Sequence, residues 1–187
     1  LRVMGKPDEL ATMYYNQGAD ELLYIDTVAS LYGRNNLTDV VKIAASHIFI
    51  PMTVGGGVRS VEDAFKLLHS GADKVAVNTA AVKRPELISE IARVLGSQAM
   101  VLSMHIKKID SSSWEVYIDN GREKTGLNAL DWALKARELG AGEILVTSVD
   151  KDGTGHGFEQ DFIKILCSKI DIPVIAGGGA KHASDIA

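Results

Sequence analysis

The chain repeats itself at one fixed interval, and each copy closes on a run of three glycines. Gly18-Ala19-Asp20-Glu21-Leu22-Leu23 returns as Gly140-Ala141-Gly142-Glu143-Ile144-Leu145. Ile50-Pro51-Met52-Thr53-Val54-Gly55-Gly56-Gly57 returns as Ile172-Pro173-Val174-Ile175-Ala176-Gly177-Gly178-Gly179. The interval is 122 in both matches (140 − 18 and 172 − 50), and Asp63 and Asp185 keep the same register. A match that holds frame from one strand to the next glycine turn points to a duplicated half-domain. Independent arrival at the same strand–turn–helix grammar is the competing explanation.

Between the repeats the chain alternates. Short runs rich in Val, Ile and Leu at 21–26, 48–54, 73–77, 99–104, 143–149 and 172–176 read as strands. Helical stretches fall at about 7–17, 37–47, 61–70, 85–95, 128–139 and 159–169, the fourth with Leu87, Ile88, Ile91, Val94 and Leu95 facing a core. Pro7, Pro85 and Asn128 mark helix starts, and the glycines at 18, 71, 96 and 140 mark helix ends. Most strands are apolar on both faces, as parallel strands covered by helices must be. Segment 105–124 breaks the rhythm: Trp114 to Ile118 alternates between two turns, and it reads as an inserted hairpin.

This order specifies a parallel α/β fold. A (β/α)₈ barrel needs eight strands, and six are visible. Gly71–Thr79 has no counterpart 122 residues on before Ala187, and the strand at 99–104 lacks an earlier mate. The reading is therefore a TIM barrel of duplicated half-barrels, one domain over 1–187, lacking its first strand and its last βα unit. An open doubly wound sheet is the competing architecture.

Composition narrows the function. With 46% apolar and 24% charged residues, the chain has ample core for a globular domain. Net charge is −4 and no basic cluster exceeds Lys107-Lys108, which disfavours nucleic acid. Cys167 stands alone, so neither a disulfide framework nor a paired-cysteine metal site is expected, and it reads as a small apolar filler. No apolar run reaches membrane-spanning length and no signal peptide is recognised, so a cytoplasmic location is expected.

In either architecture ligands bind at the carboxyl ends of the strands. Those ends supply Asp26-Thr27 with Ser30, Gly55 to Gly57, Asn78-Thr79, His105 with Lys107, Thr147-Ser148 with Asp150, Asp152-Gly153-Thr154, and Gly177 to Gly179. Triple-glycine turns let backbone N–H groups approach an anion closely. Two of them at the repeat interval suggest two phosphates held from opposite sides of the barrel, with Asn78 and Thr79 adding side-chain donors. Asn78 could equally cap the helix that follows. Asp26, Asp150 and Asp152 stand where acid–base groups must project, or cap helices and order the loop 151–157. His105 is either a site group or a solvated strand-end residue; His47, His69 and His182 read as structural, and His156 stays open. Asp150 to Thr154 holds too few ligands for calcium, so no metal is expected, and no cofactor. At the opposite ends of the strands, Glu21, Lys74 and Glu143 could form a ring around the axis, as an ion-paired plug or a gate.

Taken together, the motifs from Gly18 to Thr154 and the two glycine turns resemble the cyclase (synthase) subunit of imidazole glycerol phosphate synthase, of histidine biosynthesis. The resemblance covers the whole chain. It implies a duplicated half-barrel, a substrate with a phosphate at each end, and a glutaminase subunit docked on the barrel bottom that supplies ammonia through a charged gate. Glu21, Lys74 and Glu143 fall on gate positions, and the gate arginine would lie on the absent first strand. It implies binding by Gly55, Gly56, Gly57, Asn78, Thr79, Thr147, Gly153, Thr154, Gly177, Gly178 and Gly179, with His105, Asp152 and Asp26 as the catalytic candidates. One departure stands out: the family's two catalytic aspartates lie on the absent first strand and at position 105, where this chain has histidine. Ala29 to Asn36 and Asp119 to Glu123 resemble a paralogous branch that amidates surface-polysaccharide sugars with glutaminase-derived ammonia. That branch is one alternative function; a non-catalytic glutaminase-binding barrel is another.

Overall fold

The computed structural model describes residues 5–27 and 37–186. Six parallel strands form its spine: β1 (Leu22–Ile25), β2 (Met52–Gly55), β3 (Lys74–Val77), β4 (Met100–Lys108), β7 (Glu143–Ser148) and β8 (Val174–Gly177), hydrogen-bonded in that order. The helices are α1 (Pro7–Asn16), α2 (Leu37–Ala45), α3 (Val61–His69), the short α4 (Thr79–Lys83), α5 (Glu86–Leu95), α6 (Ala129–Glu138) and α7 (Gln160–Cys167). Between β4 and α6 the chain turns back twice, through β5 (Trp114–Ile118) and β6 (Glu123–Asn128), both antiparallel to their neighbours. The insertion is thus a three-stranded meander that includes the upper half of β4, and not a free hairpin. His105 pairs with Tyr117 on one side and with Thr147 on the other.

The sheet curls. Ile25 of β1 and Ile175 of β8, from opposite ends of the parallel path, pack on the same small cluster of Ala76, Val101 and Leu145. Below that cluster, Lys74 bonds carboxylates from beside β1 and from β7. Those strands stand four spacings apart, about 19 Å across a flat sheet. Convergence of this kind is what the closing curvature of a barrel produces, and the inward side chains stack in layers as barrel interiors do.

The 122-residue repeat is carried in the backbone as well. Shifted by 122, α1 at 7–16 becomes α6 at 129–138. The Leu22↔Met52 to Ile25↔Gly55 register becomes Ile144↔Val174 to Thr147↔Gly177. Leu22 N–H donates to Pro51 O at 2.9 Å, and Ile144 N–H to Pro173 O at 3.0 Å. Arg59 N–H donates to the Asp63 carboxylate at 3.0 Å, and Lys181 N–H to Asp185 at 2.7 Å. This agreement, bond for bond, favours duplication over convergence.

Local chemistry sets the ends of the elements. Pro7 opens α1 and Ser60 caps α3 by accepting from Asp63 N–H at 3.1 Å. Asn128 caps α6 by accepting from the N–H groups of Leu130 and Asp131. On α5, Leu87, Ile88 and Ile91 are sealed in the core and Leu95 packs against it, whereas Val94 is 59% exposed, contrary to the expected face. Cys167 is exposed at the end of α7, so it is not the apolar filler expected from its place in a helical pattern. Among the described residues no helix is long and apolar enough to cross a membrane.

Candidate active site

At the carboxyl ends of β1 to β4 lies a cavity of about 430 Å³. Asp26, Gly56 and Gly57, Asn78 and Thr79, His105, and the meander tip Asp119-Asn120 all line it. Gly56 has φ +102°, and a side chain there would strike the backbone of Asp26. Its repeat mate Gly178, at φ +83°, would place a Cβ 3.1 Å from Ser148 O and 3.3 Å from the Asp152 Cβ. Each glycine turn therefore runs against the end of the preceding strand, which excludes a side chain at Gly56 and crowds one at Gly178.

His105 stands at the centre. Its Nδ1 lies 2.7 Å from Asn78 Nδ2, and Asn78 makes no capping bond to α4. The Asn78 side chain thus turns to His105 and does not cap the helix that follows. Burial is the larger influence on the imidazole and pushes its pKa below the usual 6.5; the Asp152 carboxylate pulls upward and only partly offsets this. His105 is consequently neutral at pH 7, and Asp152 stands close enough to be felt. Thr79 is engaged as well: its hydroxyl accepts from Asp119 N–H at 3.1 Å and lies 3.4 Å from the Asp119 carboxylate. Asp119 and Asn120 have φ 49° and 58°, so two consecutive non-glycine residues sit in the left-handed region beside the cavity.

The second half is arranged differently. Thr147 lies in register between His105 and Gly177. The loop 151–157 folds back on the second glycine turn, where Gly157 N–H donates to Gly179 O at 2.9 Å. Gly153 is exposed, and the Thr154 hydroxyl donates to Lys151 O at 2.6 Å. Thr154 and His156 line a separate, open hollow with Asp150 and Asp161, away from His105. Asp150 accepts from Lys108 N–H at 2.8 Å, tying the top of β4 to this loop, which is the ordering role. His47 and His69 are held by local partners, Ile43 O and the Phe65 ring, and His182 caps a terminal turn. Ser30 and the paralogue-like segment 29–36 fall outside the described residues.

At the bottom, Lys74 Nζ lies 3.1 Å from Glu21 Oε1 and 2.6 Å from Glu143 Oε1, and Thr53 donates to Glu21 at 2.7 Å. Burial works to lower the Lys74 pKa; the bonds to Glu143 and Glu21 outweigh it and the net shift is upward, so the ammonium stays charged. The three charges expected at this end do meet, and Thr53 joins them unforeseen.

Sequence reasoning also missed Arg59 and Lys83 on the cavity wall. Arg59 had a signal, since its repeat mate Lys181 is the cation at the same place after the second glycine turn. Among the described residues no group of three or more His, Cys, Asp or Glu side chains is placed to hold a metal.

The model of the histidine biosynthesis protein family matches residues 1–187. Curated proteins named imidazole glycerol phosphate synthase subunit HisF are similar over nearly the whole chain. The one from Legionella pneumophila is 59% identical over 179 residues, covering 96% of this chain and 84% of its own. That of Alkaliphilus metalliredigens is 50% identical over 187 residues, covering 100% and 74%. A Bacillus cereus protein is 46% identical over 186 residues, again covering 100% and 74%.

Proposed function

The chain belongs to the histidine biosynthesis protein family, and from that premise we propose how its residues divide the work. It is the cyclase subunit of an imidazole glycerol phosphate synthase, a lyase of histidine biosynthesis. Ammonia from a glutaminase subunit docked at the bottom enters past Glu21, Lys74 and Glu143. It passes the small layer of Ala76, Val101 and Leu145 and reaches a bisphosphorylated aminoimidazole-carboxamide ribonucleotide held at the top.

The observation that carries this reading is a charge cluster and a cavity at opposite ends of the same strands. A ring of paired charges closes the amino ends of the strands, and His105 with its cavity stands at the carboxyl ends. Gly55 to Gly57 and Gly177 to Gly179 each take one phosphate through backbone N–H groups, and Thr147, Gly153 and Thr154 complete the second side. Asp152 and Asp26 handle the protons that the incoming nitrogen and the closing ring release and take up, and His105 faces the same reacting atoms. At the bottom, Phe49, 82% exposed beside the half-buried Tyr15, offers the partner an aromatic anchor. The sugar-amidating alternative rests on loop resemblances and on His105, whereas the relatives are all named imidazole glycerol phosphate synthase subunit HisF.

The test is ammonium-driven consumption of the bisphosphate by the purified protein, with a nucleotide-linked acidic sugar as the competing substrate. Turnover of the bisphosphate alone is expected; amidation of the sugar without it would overturn the reading.

A further inference from the structure

His105 reaches the cavity with one ring nitrogen already committed. Nδ1 is 2.7 Å from the Asn78 amide nitrogen, and that same amide nitrogen lies 3.5 Å from Tyr117 O. An amide nitrogen carries two hydrogens, one for each of these acceptors. The opposite orientation would set Asn78 Oδ1 against the Tyr117 carbonyl, two acceptors facing each other. The orientation present leaves only Oδ1 without a donor. The Tyr117 carbonyl, fixed by the pairing of β5 with β4 at His105↔Tyr117, therefore decides which way the amide faces. An imidazole that accepts at Nδ1 carries its proton on Nε2 when neutral. Nε2 has no partner among the described residues and is not among the sealed, unpartnered atoms.

We propose that Asn78 is a positioning residue that locks His105 in the Nε2–H form, so that His105 meets the substrate as a neutral hydrogen-bond donor and not as a proton acceptor. Resting on the cyclase reading above, this sharpens it. Proton abstraction falls to the carboxylates, Asp152 from the loop after β7 or Asp26 after β1, while His105 polarises an acceptor oxygen or nitrogen of the bound ribonucleotide. It also gives the meander a task, because β5 supplies the carbonyl that orients the amide. The ionisable groups around the cavity are Asp26, Asp119, Arg59, Lys83 and Arg84, together with Asp152 beyond its wall.

The decisive experiment is nitrogen NMR of the wild-type protein carrying imidazole-labelled histidine, of which there are five; His105 is assigned by its loss in His105→Gln. At neutral pH the expected spectrum shows His105 with Nδ1 bare and Nε2 protonated. In Asn78→Asp, a carboxylate facing Nδ1 should draw the proton there, raise the His105 titration midpoint and cut kcat about tenfold or more while KM changes less than about threefold. A wild-type His105 protonated at Nδ1, or a tautomer unmoved in Asn78→Asp, overturns the proposal. The expected tautomers with kcat unchanged overturn its catalytic half. The wild-type spectrum needs no turnover to read, and its assignment asks only that His105→Gln fold. Loss of the cyclase reading would thus appear as absent activity with the tautomer intact.

Discussion

The two halves of this chain share a backbone to within one register and use it differently. In the first, the glycine turn opens on a cavity walled by Asp26, Asn78 and His105. In the second, the same turn is covered by its own loop, with Gly157 bonded to Gly179 and Asp152 packed against Gly178. Where the first half carries Asp26 at the end of its strand, the second carries Ser148 at the matching position, and its carboxylate arrives from the loop, as Asp152. Duplication supplied two equivalent glycine turns. The loops above them, free to change without disturbing the sheet, made one half a cavity and gave the other a carboxylate, Asp152, near His105.

That contrast can be broken at several points. The largest effect is expected at Asp152: replacement by Asn keeps the shape and removes the charge. Ammonium-driven kcat should fall by about 10²–10⁴, the usual contribution of a placed acid–base group. A fall of less than tenfold would remove Asp152 from the chemistry and leave the second half a binding element only.

Next in size is the bottom ring. Lys74→Met leaves Glu143, whose Oε2 already lacks a partner, facing the apolar layer. A loss of about 1–3 kcal/mol is expected in denaturant unfolding, given the partial exposure of the ring. Glutamine-driven turnover with the glutaminase present should suffer more than ammonium-driven turnover. Equal losses in both would make the ring a structural plug.

The smallest effect is on stability against pH. Folding lowers the pKa of His105, mainly through burial, so near and below pH 6.5 the unfolded chain binds more protons than the folded one. Stability from this group is complete above the unfolded pKa of about 6.5 and is lost as pH falls from there toward the lowered folded value. His105→Gln should flatten the part of the curve below about pH 6.5. An unchanged slope would mean that His105 is not buried in solution as it is here.

Much of this was legible in the sequence because periodicity and glycine report on backbone directly. All six parallel strands, the helix starts at Pro7, Pro85 and Asn128, and the glycines ending four helices stand where the pattern put them. The strand β6 was not legible: Glu123-Lys124-Thr125-Gly126-Leu127-Asn128 is almost wholly exposed and is a strand only through its pairing with β5. Nor was α4, five residues long and lacking a side-chain cap. In the site, strand-end logic found Asp26, Asn78 and His105, but not that Asn78 would turn to His105 or Thr79 to Asp119. Those partners come from the meander and from neighbouring strands, contacts far apart in sequence that no local pattern encodes.

In the reading proposed here the repeat holds one substrate from two sides. Calorimetric titration of the bisphosphate, without ammonia, into Gly56→Ala and Gly178→Ala tests it most directly, with thermal melts confirming that each variant is folded. Each glycine has a positive φ and stands against the preceding strand end, so a methyl group must displace the turn. The account predicts that both substitutions weaken binding by about tenfold or more, one phosphate contact being lost in each. Full affinity in folded Gly178→Ala, beside a loss in Gly56→Ala, would contradict it and leave the first half as the whole site.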